Sequence, residues 1–541
     1  FALSTVSPLT FNLYLSTKTI IMGKRDNKIT AEEVKKHSTP EDAWIIVNGL
    51  VYDITSFAEY HPGGAKLLLD LAGKDASVEF FELHRQEVLD KYERLVVGVL
   101  VDERGEPVVE QPTEKRGEGA SDLSFAESPS LRSGWTCPYT TESHDNFRLE
   151  VRKYFTALRP TAAQLEMADK PPTKKLMKEF GDLGIFAGLL GPGDHLKGRT
   201  IFGVKGEDYD YWHESILSQE RARIGFPSFS DSLGTGLIIG LPPVALFAQD
   251  GVREKVVEEC LSGEKTICLA ITEPWVGSDV ANIRTTAKLS DCGQFYIVNG
   301  VKKWITNGNF ADYFTTAVRT GGPGVGGVSL LCIPRVEGVE TKIVKTSYGS
   351  SAGTALVIFE NVKVPVEYLL GSENAGFQVI MSNFNHERWY VVCLLVGGLR
   401  GLIDEAFVWC NQREAFGGNL MKQPVVRQKL AEMVAEVEGL GSWLDLITFQ
   451  MEKMDKDVQF MVLGPHMSLL KYQCSRVAYK FNDNLVQIFG GRSLTMTGMG
   501  GYIERFQRQV KYAAILGGSE EVMADLAIRL ASRGMSPGAK L

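Results

Sequence analysis

A stretch of the chain that is poor in apolar residues, residues 101–145, does most to limit how this sequence can fold. It is dense in Glu, Gly, Pro and Ser. Such a segment buries too little apolar surface to offset the entropy lost on ordering, so we interpret it as a linker. The 541 residues are therefore expected to fold as at least two units, one before the linker and one after it. A linker of about 45 residues would let one unit swing against the other.

The larger part of the chain, beyond the linker, changes pattern twice. Residues 146–262 alternate charged and apolar positions at helical spacing, residues 263–375 form short β-branched and aromatic runs, and residues 376–536 return to helical spacing. This order predicts a helical domain, an antiparallel β domain and a C-terminal helical domain. The remaining predicted parts are an extension at 1–22, a small domain at 23–103, a linker at 104–145 and a tail at 537–541.

Composition excludes several classes of protein. The formal net charge of −8 excludes a broad basic surface for nucleic-acid phosphates. The best candidate for a membrane span, residues 233–248, is interrupted by Pro242 and Pro243, so we expect no transmembrane segment. The eight cysteines form no C-x-x-C pair, which argues against thiolate-held zinc or iron–sulfur clusters and favours a reducing compartment.

The small domain carries two histidines in a strongly patterned setting. Residues 30–33 form a capping box, and residues 43–54 predict a hairpin that turns at Asn48 and Gly49. His61 begins the sequence His-Pro-Gly-Gly, whose glycines allow a flat ligand to approach closely, and His84 follows 23 residues later. Two neutral imidazoles in an apolar pocket are suited to both axial positions of an electron-transfer haem iron.

Residues 27–103 resemble the cytochrome b5 family over their full length. The matching pieces are Trp44, the segments 51–57 and 72–76, the His-Pro-Gly-Gly sequence and His84. The resemblance implies a small α+β domain that holds haem b with His61 and His84 as the metal ligands.

Two segments of the predicted β domain are suited to a planar cofactor with polar edges. Residues 270–279 place Thr272 at a strand end before a glycine turn, and residues 304–308 offer the aromatic face of Trp304 beside the hydroxyl of Thr306. A planar cofactor of this kind requires both an apolar surface for stacking and hydrogen-bond donors near its reactive nitrogen. Either segment alone is equally consistent with a buried tryptophan in an ordinary strand.

Together these segments resemble the acyl-CoA dehydrogenase superfamily, and the resemblance extends over residues 146–533. Further matches lie at 359–365, 413–417, 487–491 and 515–523. The resemblance implies a helical domain, an antiparallel β domain and a C-terminal four-helix bundle. It also implies that FAD is bound, partly across a subunit interface, by Thr272, Trp304, Thr306, Arg413, Phe416, Gln487, Gly490, Gly491, Ser519 and Glu521. It places Ser278, Asn385 and Arg388 near the acyl-CoA. Val276 and Asn282 depart from the usual small residues of the family signature.

The catalytic base does not stand at its most common family position. Removing the weakly acidic α-proton of an acyl thioester requires a carboxylate, yet the position that carries it in most members is Gly517 here. Glu387, directly before Arg388, matches the position where isovaleryl-CoA and long-chain acyl-CoA dehydrogenases carry their base. We predict that Glu387 is the base and that burial raises its pKa.

The leading hypothesis is an FAD-dependent acyl-CoA dehydrogenase that forms 2-enoyl-CoA and passes electrons to the haem. An acyl-CoA oxidase that passes electrons to oxygen and a catalytically diverged flavohaem scaffold remain open, as do branched short and straight long acyl chains. The family resemblance implies a homodimer or homotetramer. Residues 539–541, Ala-Lys-Leu, resemble the peroxisomal address Ser-Lys-Leu, so we expect a peroxisomal protein, with the cytoplasm as the alternative.

Overall fold

The computed structural model describes residues 27–108 and 119–533. The predicted extension at 1–22, the tail at 537–541 and part of the predicted linker lie outside these residues. The chain divides into two compact units. One contains the small domain together with residues 409–423 and 494–501, and the other contains the rest of the described chain.

The small domain is built on a five-stranded sheet. Its strands are β1 (Lys28–Thr30), β2 (Ser38–Thr39), β3 (Asp42–Val47), β4 (Leu50–Asp53) and β5 (Val96–Val101). The order in the sheet is β1-β5-β4-β3-β2, with β1 parallel to β5 and the other pairs antiparallel. Its helices are α1 (Ala31–Val34), α2 (Ala65–Leu69), α3 (Ser77–Leu83) and α4 (Gln86–Lys91).

Local sequence signals account for much of the small domain. Thr30 caps α1, and its hydroxyl accepts a hydrogen bond from the Glu33 amide at 3.3 Å. Asn48 and Gly49 join β3 to β4 with φ angles of 52° and 71°, the left-handed geometry of a tight hairpin turn. The predicted hairpin is confirmed. Apolar side chains such as Ile45 and Val96 fill the core between this sheet and the helices.

The large unit begins with a helical domain. Its helices are α5 (Glu142–Met167), α6 (Lys174–Asp182), α7 (Ile185–Leu189), α8 (Tyr211–Ala222), α9 (Pro227–Ser232), α10 (Thr235–Phe247) and α11 (Asp250–Leu261), with a short hairpin of β6 (Thr200–Ile201) and β7 (Val204–Lys205). Helix α5 starts four residues before the predicted boundary of 146, because Thr141 and His144 form a capping box there.

A seven-stranded sheet forms the β domain. Its strands are β8 (Ile267–Ala270), β9 (Thr286–Leu289), β10 (Phe295–Ile305), β11 (Tyr313–Arg319), β12 (Val328–Pro334), β13 (Val339–Ile343) and β14 (Ala355–Pro365). The order is β12-β11-β9-β10-β14-β13, and β8 pairs in parallel with β11. The long pairs are antiparallel, as the alternating sequence runs predict.

Helices form the C-terminal part of the chain. They are α12 (Gly376–Gln412), α13 (Pro424–Lys453), α14 (Lys456–Val462), α15 (Gly464–Phe489), α16 (Gly501–Gln509) and α17 (Glu520–Arg533), with a hairpin of β15 (Glu414–Ala415) and β16 (Gly418–Asn419). Helix α15 packs against both α13 and α17. All eight cysteines are free thiols, as the absence of paired spacings predicts.

The prediction of a flexible linker up to residue 145 is wrong for residues 119–145. Arg132, whose side chain is fully buried, forms an ion pair with Glu438 of α13 at 2.6 Å. Glu127 is 1% exposed and pairs with Arg152 of α5 at 2.7 Å. Buried paired charges, together with the stacking of Tyr139 on Trp212, attach this segment to the large unit. Composition alone does not detect such pairs, so the low apolar content of the segment suggested a linker.

Helix α10 runs through Pro242 and Pro243, which the sequence suggested would interrupt it. A proline removes the N–H that would bond to the carbonyl four residues earlier. For Pro242 that carbonyl belongs to Ile238, and the Asn383 side chain of α12 donates to it at 3.2 Å. By length and composition the stretch Pro227–Phe247 could span a membrane, but 89% of its most apolar window is buried inside the protein, as in a core helix.

Candidate active site and haem pocket

A largely apolar cavity lies within the large unit, against α9, α10 and α12. Aliphatic side chains such as Ile239, Val391 and Leu394 form most of its wall. A smaller set of polar residues also lines it: Ser230, Asp231, Thr235, Tyr348, Glu387, Tyr390, Tyr502, Gln509 and Tyr512. An apolar pocket with few polar groups is the usual form of a small-molecule site.

Glu387, the predicted base, lines this cavity. It lies on α12 and is 5% exposed, and its Oε2 has no hydrogen-bond partner among the residues that the structure describes. Burial raises the pKa of its carboxyl to about 7, against smaller opposing effects from Arg388, Lys471 and His386. A carboxylate with that pKa is poised to take a proton near neutral pH.

Gly517 faces the same carboxyl. A Cβ placed at Gly517 would lie 3.7 Å from Glu387 Oε1, and the residue has a φ of +65°. A side chain at 517 would therefore start beside the Glu387 carboxyl, although 130 residues separate the two positions. A carboxylate carried at position 387 or at position 517 could therefore reach the same place in the cavity. The presence of Glu at 387 together with Gly at 517 predicts this relation.

The other acidic residues of this region are placed differently. Glu520 is buried at the start of α17 and lies 3.7 Å from the guanidinium of Arg476. Glu521, predicted to contact the cofactor, is exposed. Neither residue lines the cavity. Glu387 is the acidic residue that the structure brings to the cavity beside Gly517.

The predicted flavin residues of the β domain lie together. The Lys303 amide donates to the Thr272 carbonyl at 2.9 Å, which joins the end of β8 to β10. Trp304 has a φ of +61° at an irregularity of β10 and is 48% exposed. The Thr306 hydroxyl lies 2.9 Å from the Tyr512 hydroxyl, beside the cavity. An exposed aromatic face next to hydroxyl groups fits the isoalloxazine ring of FAD.

The remaining predicted cofactor residues fall in three places. Gln487, Gly490 and Gly491 are exposed at the end of α15, and Ser519 precedes α17. Arg413 and Phe416 belong to the other compact unit, in the β15–β16 hairpin. Phe416 is 93% exposed at the hairpin tip, so its role at a subunit interface stays a prediction.

Two of the predicted substrate residues neighbour the base. Arg388 donates to the Asn385 side chain at 3.0 Å, and both flank Glu387 on α12. Ser278 is exposed in the loop after β8. The substrate contacts themselves stay predictions for all three.

Sequence reasoning missed a polar cluster at the cavity. Asp231 is 3% exposed and accepts hydrogen bonds from Tyr348 at 2.6 Å and from Thr235 at 2.7 Å. The Tyr348 ring stacks on Tyr512 with centroids 3.7 Å apart. Burial raises the pKa of Asp231. These residues come from three separate segments with no shared motif, so no local pattern marks them.

The two histidines of the small domain face each other. Their ring centroids are 5.9 Å apart with the planes at 75°. His61 Nδ1 lies 3.3 Å from the Gly64 carbonyl, and a proton held there leaves Nε2 free to bind a metal. Burial, followed by the charge of His61, lowers the pKa of His84, which favours its neutral form. A Cβ at Gly63 would stand 2.9 Å from the His61 ring. Two facing imidazoles with room between them fit a bis-histidine haem iron.

Comparisons with known proteins agree with this geometry. Three family models match: the cytochrome b5-like heme/steroid binding domain over residues 30–101, and the acyl-CoA dehydrogenase middle and C-terminal domains over 268–362 and 374–531. Acyl-CoA dehydrogenase apdG of Emericella nidulans is 40% identical over 418 residues, which are 76% of this chain and 95% of that protein.

Two further comparisons extend this result. Acyl-CoA dehydrogenase AFT10-1 of Alternaria alternata is 34% identical over 395 residues, which cover 72% of this chain and 91% of that protein. The crystal structure of a putative acyl-CoA dehydrogenase from Mycobacterium smegmatis superposes with a TM-score of 0.65 at 29% identity, covering 74% of this chain and 100% of that one.

Proposed function

Because the chain belongs to the acyl-CoA dehydrogenase family, with a cytochrome b5-like domain joined to it, we propose that Glu387 removes the α-proton of an acyl-CoA. The family uses FAD, and the small domain binds haem. The observation that supports Glu387 most directly is its buried carboxyl in the cavity wall, whose Oε2 has no partner among the described residues and whose Oε1 faces Gly517.

The reaction is an α,β-dehydrogenation. The α C–H bond breaks and its proton goes to Glu387, the β-hydrogen leaves as hydride, and a double bond forms to give 2-enoyl-CoA. FAD, when bound, supplies the acceptor for that hydride. The exposed face of Trp304 and the hydroxyls of Thr272 and Thr306 are the residues suited to hold its ring system.

The surroundings of Glu387 set its strength as a base. Burial makes the charged form costly, and Arg388 and Lys471 offset part of that cost, so the carboxyl titrates near pH 7 rather than near 4.5. The apolar wall keeps water from the carboxylate and the acyl chain. Both effects make the ionised carboxylate more basic than an exposed one.

Glu387→Gln tests the base assignment. The amide keeps the shape of the side chain but cannot accept the proton, so we expect acyl-CoA to bleach the flavin at least about 100-fold more slowly. Glu520→Gln is the matched control, since it removes a buried carboxylate of the same region that does not line the cavity. Retained bleaching in Glu387→Gln, or its loss in Glu520→Gln alone, would show that another acid is the base.

We further propose that the small domain accepts electrons from the reduced flavoprotein. His61 and His84 would together hold the haem, and a haem held by two histidines would be suited to electron exchange rather than to oxygen binding. On anaerobic mixing with a good acyl-CoA substrate, we expect the flavin absorbance to fall first and the haem to become reduced afterwards. Haem that stays oxidised through every turnover would reject the relay. Peroxide formed in proportion to enoyl product would favour the oxidase alternative instead.

A further inference from the structure

Two polar residues of the cavity wall carry atoms without a partner. Ser230 Oγ and Gln509 Oε1 have no hydrogen-bond partner among the residues that the structure describes, and both side chains are 3% exposed. Both residues line the cavity that also contains Glu387. Buried polar atoms in folded proteins are nearly always hydrogen-bonded, so an unpaired set at a binding cavity points to a group on the ligand.

The orientation of the Gln509 amide is fixed by its other contact. Its Nε2 donates to Glu166 Oε1 at 3.1 Å, and Glu166 also forms an ion pair with Arg505 at 3.1 Å. A carboxylate accepts but does not donate, so the nitrogen must face Glu166 and the oxygen must be the unpaired atom. Gln509 therefore offers an acceptor that needs a donor.

Gln509 and the residue before Ser230 bond to the same carboxylate, that of Glu166. Glu166 Oε2 accepts from the amide of Phe229, the residue before Ser230, at 3.4 Å. Ser230, within α9, and Gln509, at the end of α16, are therefore both held close to the Glu166 carboxylate. A hydroxyl of Ser230 can donate or accept, whereas the Gln509 oxygen can only accept.

A hydroxyl is the group that satisfies both atoms. It can accept from Ser230 and donate to Gln509, whereas a ketone only accepts and leaves Gln509 Oε1 unpaired. A carboxylate would also leave Gln509 unpaired and would stand in the same cavity as Asp231, which is a buried carboxyl on the same helix as Ser230. The aliphatic wall makes an ammonium group costly to desolvate.

We propose that the preferred substrates are acyl-CoA thioesters whose acyl chain carries a hydroxyl group beyond the β-carbon, bound between Ser230 and Gln509. This inference rests on the proposed dehydrogenase function. A site built to hydrogen-bond a substrate hydroxyl discriminates against the analogue that lacks it, because its own polar atoms are then left unpaired.

The test compares matched thioesters on the purified holoenzyme. The chain length is the one whose unsubstituted acyl-CoA bleaches the flavin fastest. A hydroxyl is placed on each carbon beyond the β-carbon in turn, and the ketone at the best position completes the set. We expect one hydroxyl position to exceed the unsubstituted chain and the ketone in kcat/KM by about tenfold or more.

Variants assign the preference to the two side chains. Ser230→Ala and Gln509→Leu should each lower the ratio of kcat/KM for the hydroxylated chain to that for the parent by about threefold to tenfold. Ser232→Ala is the matched control, because Ser232 lies on the same helix but bonds to the Phe229 carbonyl at 2.6 Å and does not line the cavity. Its ratio should not change.

Each outcome decides between the two proposals. If the unsubstituted chain equals or exceeds every hydroxylated one, or if Ser230→Ala keeps the full ratio, the hydroxyl site is refuted and the dehydrogenase function stands. If no thioester bleaches the flavin, the dehydrogenase function fails and this inference fails with it. A ketone as good as the hydroxyl would refute the role of Gln509.

Discussion

The raised pKa of Glu387 predicts a steep pH dependence of catalysis. The carboxyl must be ionised to act as a base, and its pKa is about 7 instead of the ordinary 4.5. At about pH 5 only about 1% of the free enzyme then carries the ionised base, compared with about 76% for an unshifted carboxyl. We expect kcat/KM to rise about tenfold per pH unit between about pH 5 and 6.5 and to level off above 7.

The assay is the rate of anaerobic flavin bleaching at low acyl-CoA concentration, measured across this pH range. A substrate without titratable groups on its acyl chain keeps the profile attributable to the enzyme. A profile that is flat between about pH 5 and 8 would refute the reasoning, because it would mean that the base ionises with an ordinary pKa or that another group supplies it.

The same pKa has a consequence for stability, with a sign that can be worked out. The pKa of Glu387 is higher in the folded state than in the unfolded state. Its contribution to the free energy of unfolding is therefore fully present below about pH 4.5 and is lost as the pH rises through 7. The difference between 7 and 4.5, at about 1.36 kcal/mol per pH unit, gives a loss of about 3 kcal/mol. Glu387→Gln cannot ionise, so its melting temperature should exceed that of the native protein by a margin that grows from about pH 5 to about pH 7 and is constant above that. An unchanging difference would contradict the buried, ionising carboxyl.

Three further predictions concern the haem, the flavin and the segment before α5. His84→Ala should abolish the haem absorbance while acyl-CoA still bleaches the flavin at the native rate; loss of both signals would show that His84 is needed for more than haem. Trp304→Ala should weaken FAD retention on a desalting column because the stacking surface is lost, and full retention would remove this residue from the cofactor site. Arg132→Ala should destabilise the large unit by about 1–3 kcal/mol, because it removes the buried hydrogen bonds of Arg132 to Glu438 and to the Glu127 carbonyl while Arg400 still pairs with Glu438, whereas Arg253→Ala at an exposed pair should cost less than about 1 kcal/mol in the same urea titration.

The parts of the fold that the sequence predicts are those specified by neighbouring residues. The cap at Thr30 and the turn at Asn48 and Gly49 each depend on a few adjacent positions, and the structure shows both. The sequence patterns predicted the order of the domains, and the family models match the small domain, the β domain and the C-terminal helical domain in that order. The proximity of Glu387 and Gly517 was predictable because the chain lacks the family's usual glutamate at position 517 and carries a glutamate at position 387 instead.

The parts that the sequence did not predict depend on contacts between distant residues. Residues 119–145 were predicted to be a linker because their apolar content is low. Arg132 and Glu127 nevertheless attach this segment to the large unit through buried ion pairs. Asp231 and Tyr348 are 117 residues apart, and their hydrogen bond exists only once α9 and the β domain are in place. Burial, which sets the pKa of Asp231, is likewise a property of the assembled fold.

The two prolines of α10 have a consequence for the opposite wall of the cavity. The carbonyl of Ile238 that Pro242 leaves without an internal donor is an anchoring point for Asn383, and Asn383 stands one helical turn before Glu387 on α12. Residues four apart lie on the same side of a helix, so this one bond limits how far α12 can rotate or slide. The backbone hydrogen bond that α10 lacks at Pro242 thus provides the contact that fixes the position of the Glu387 carboxylate on α12.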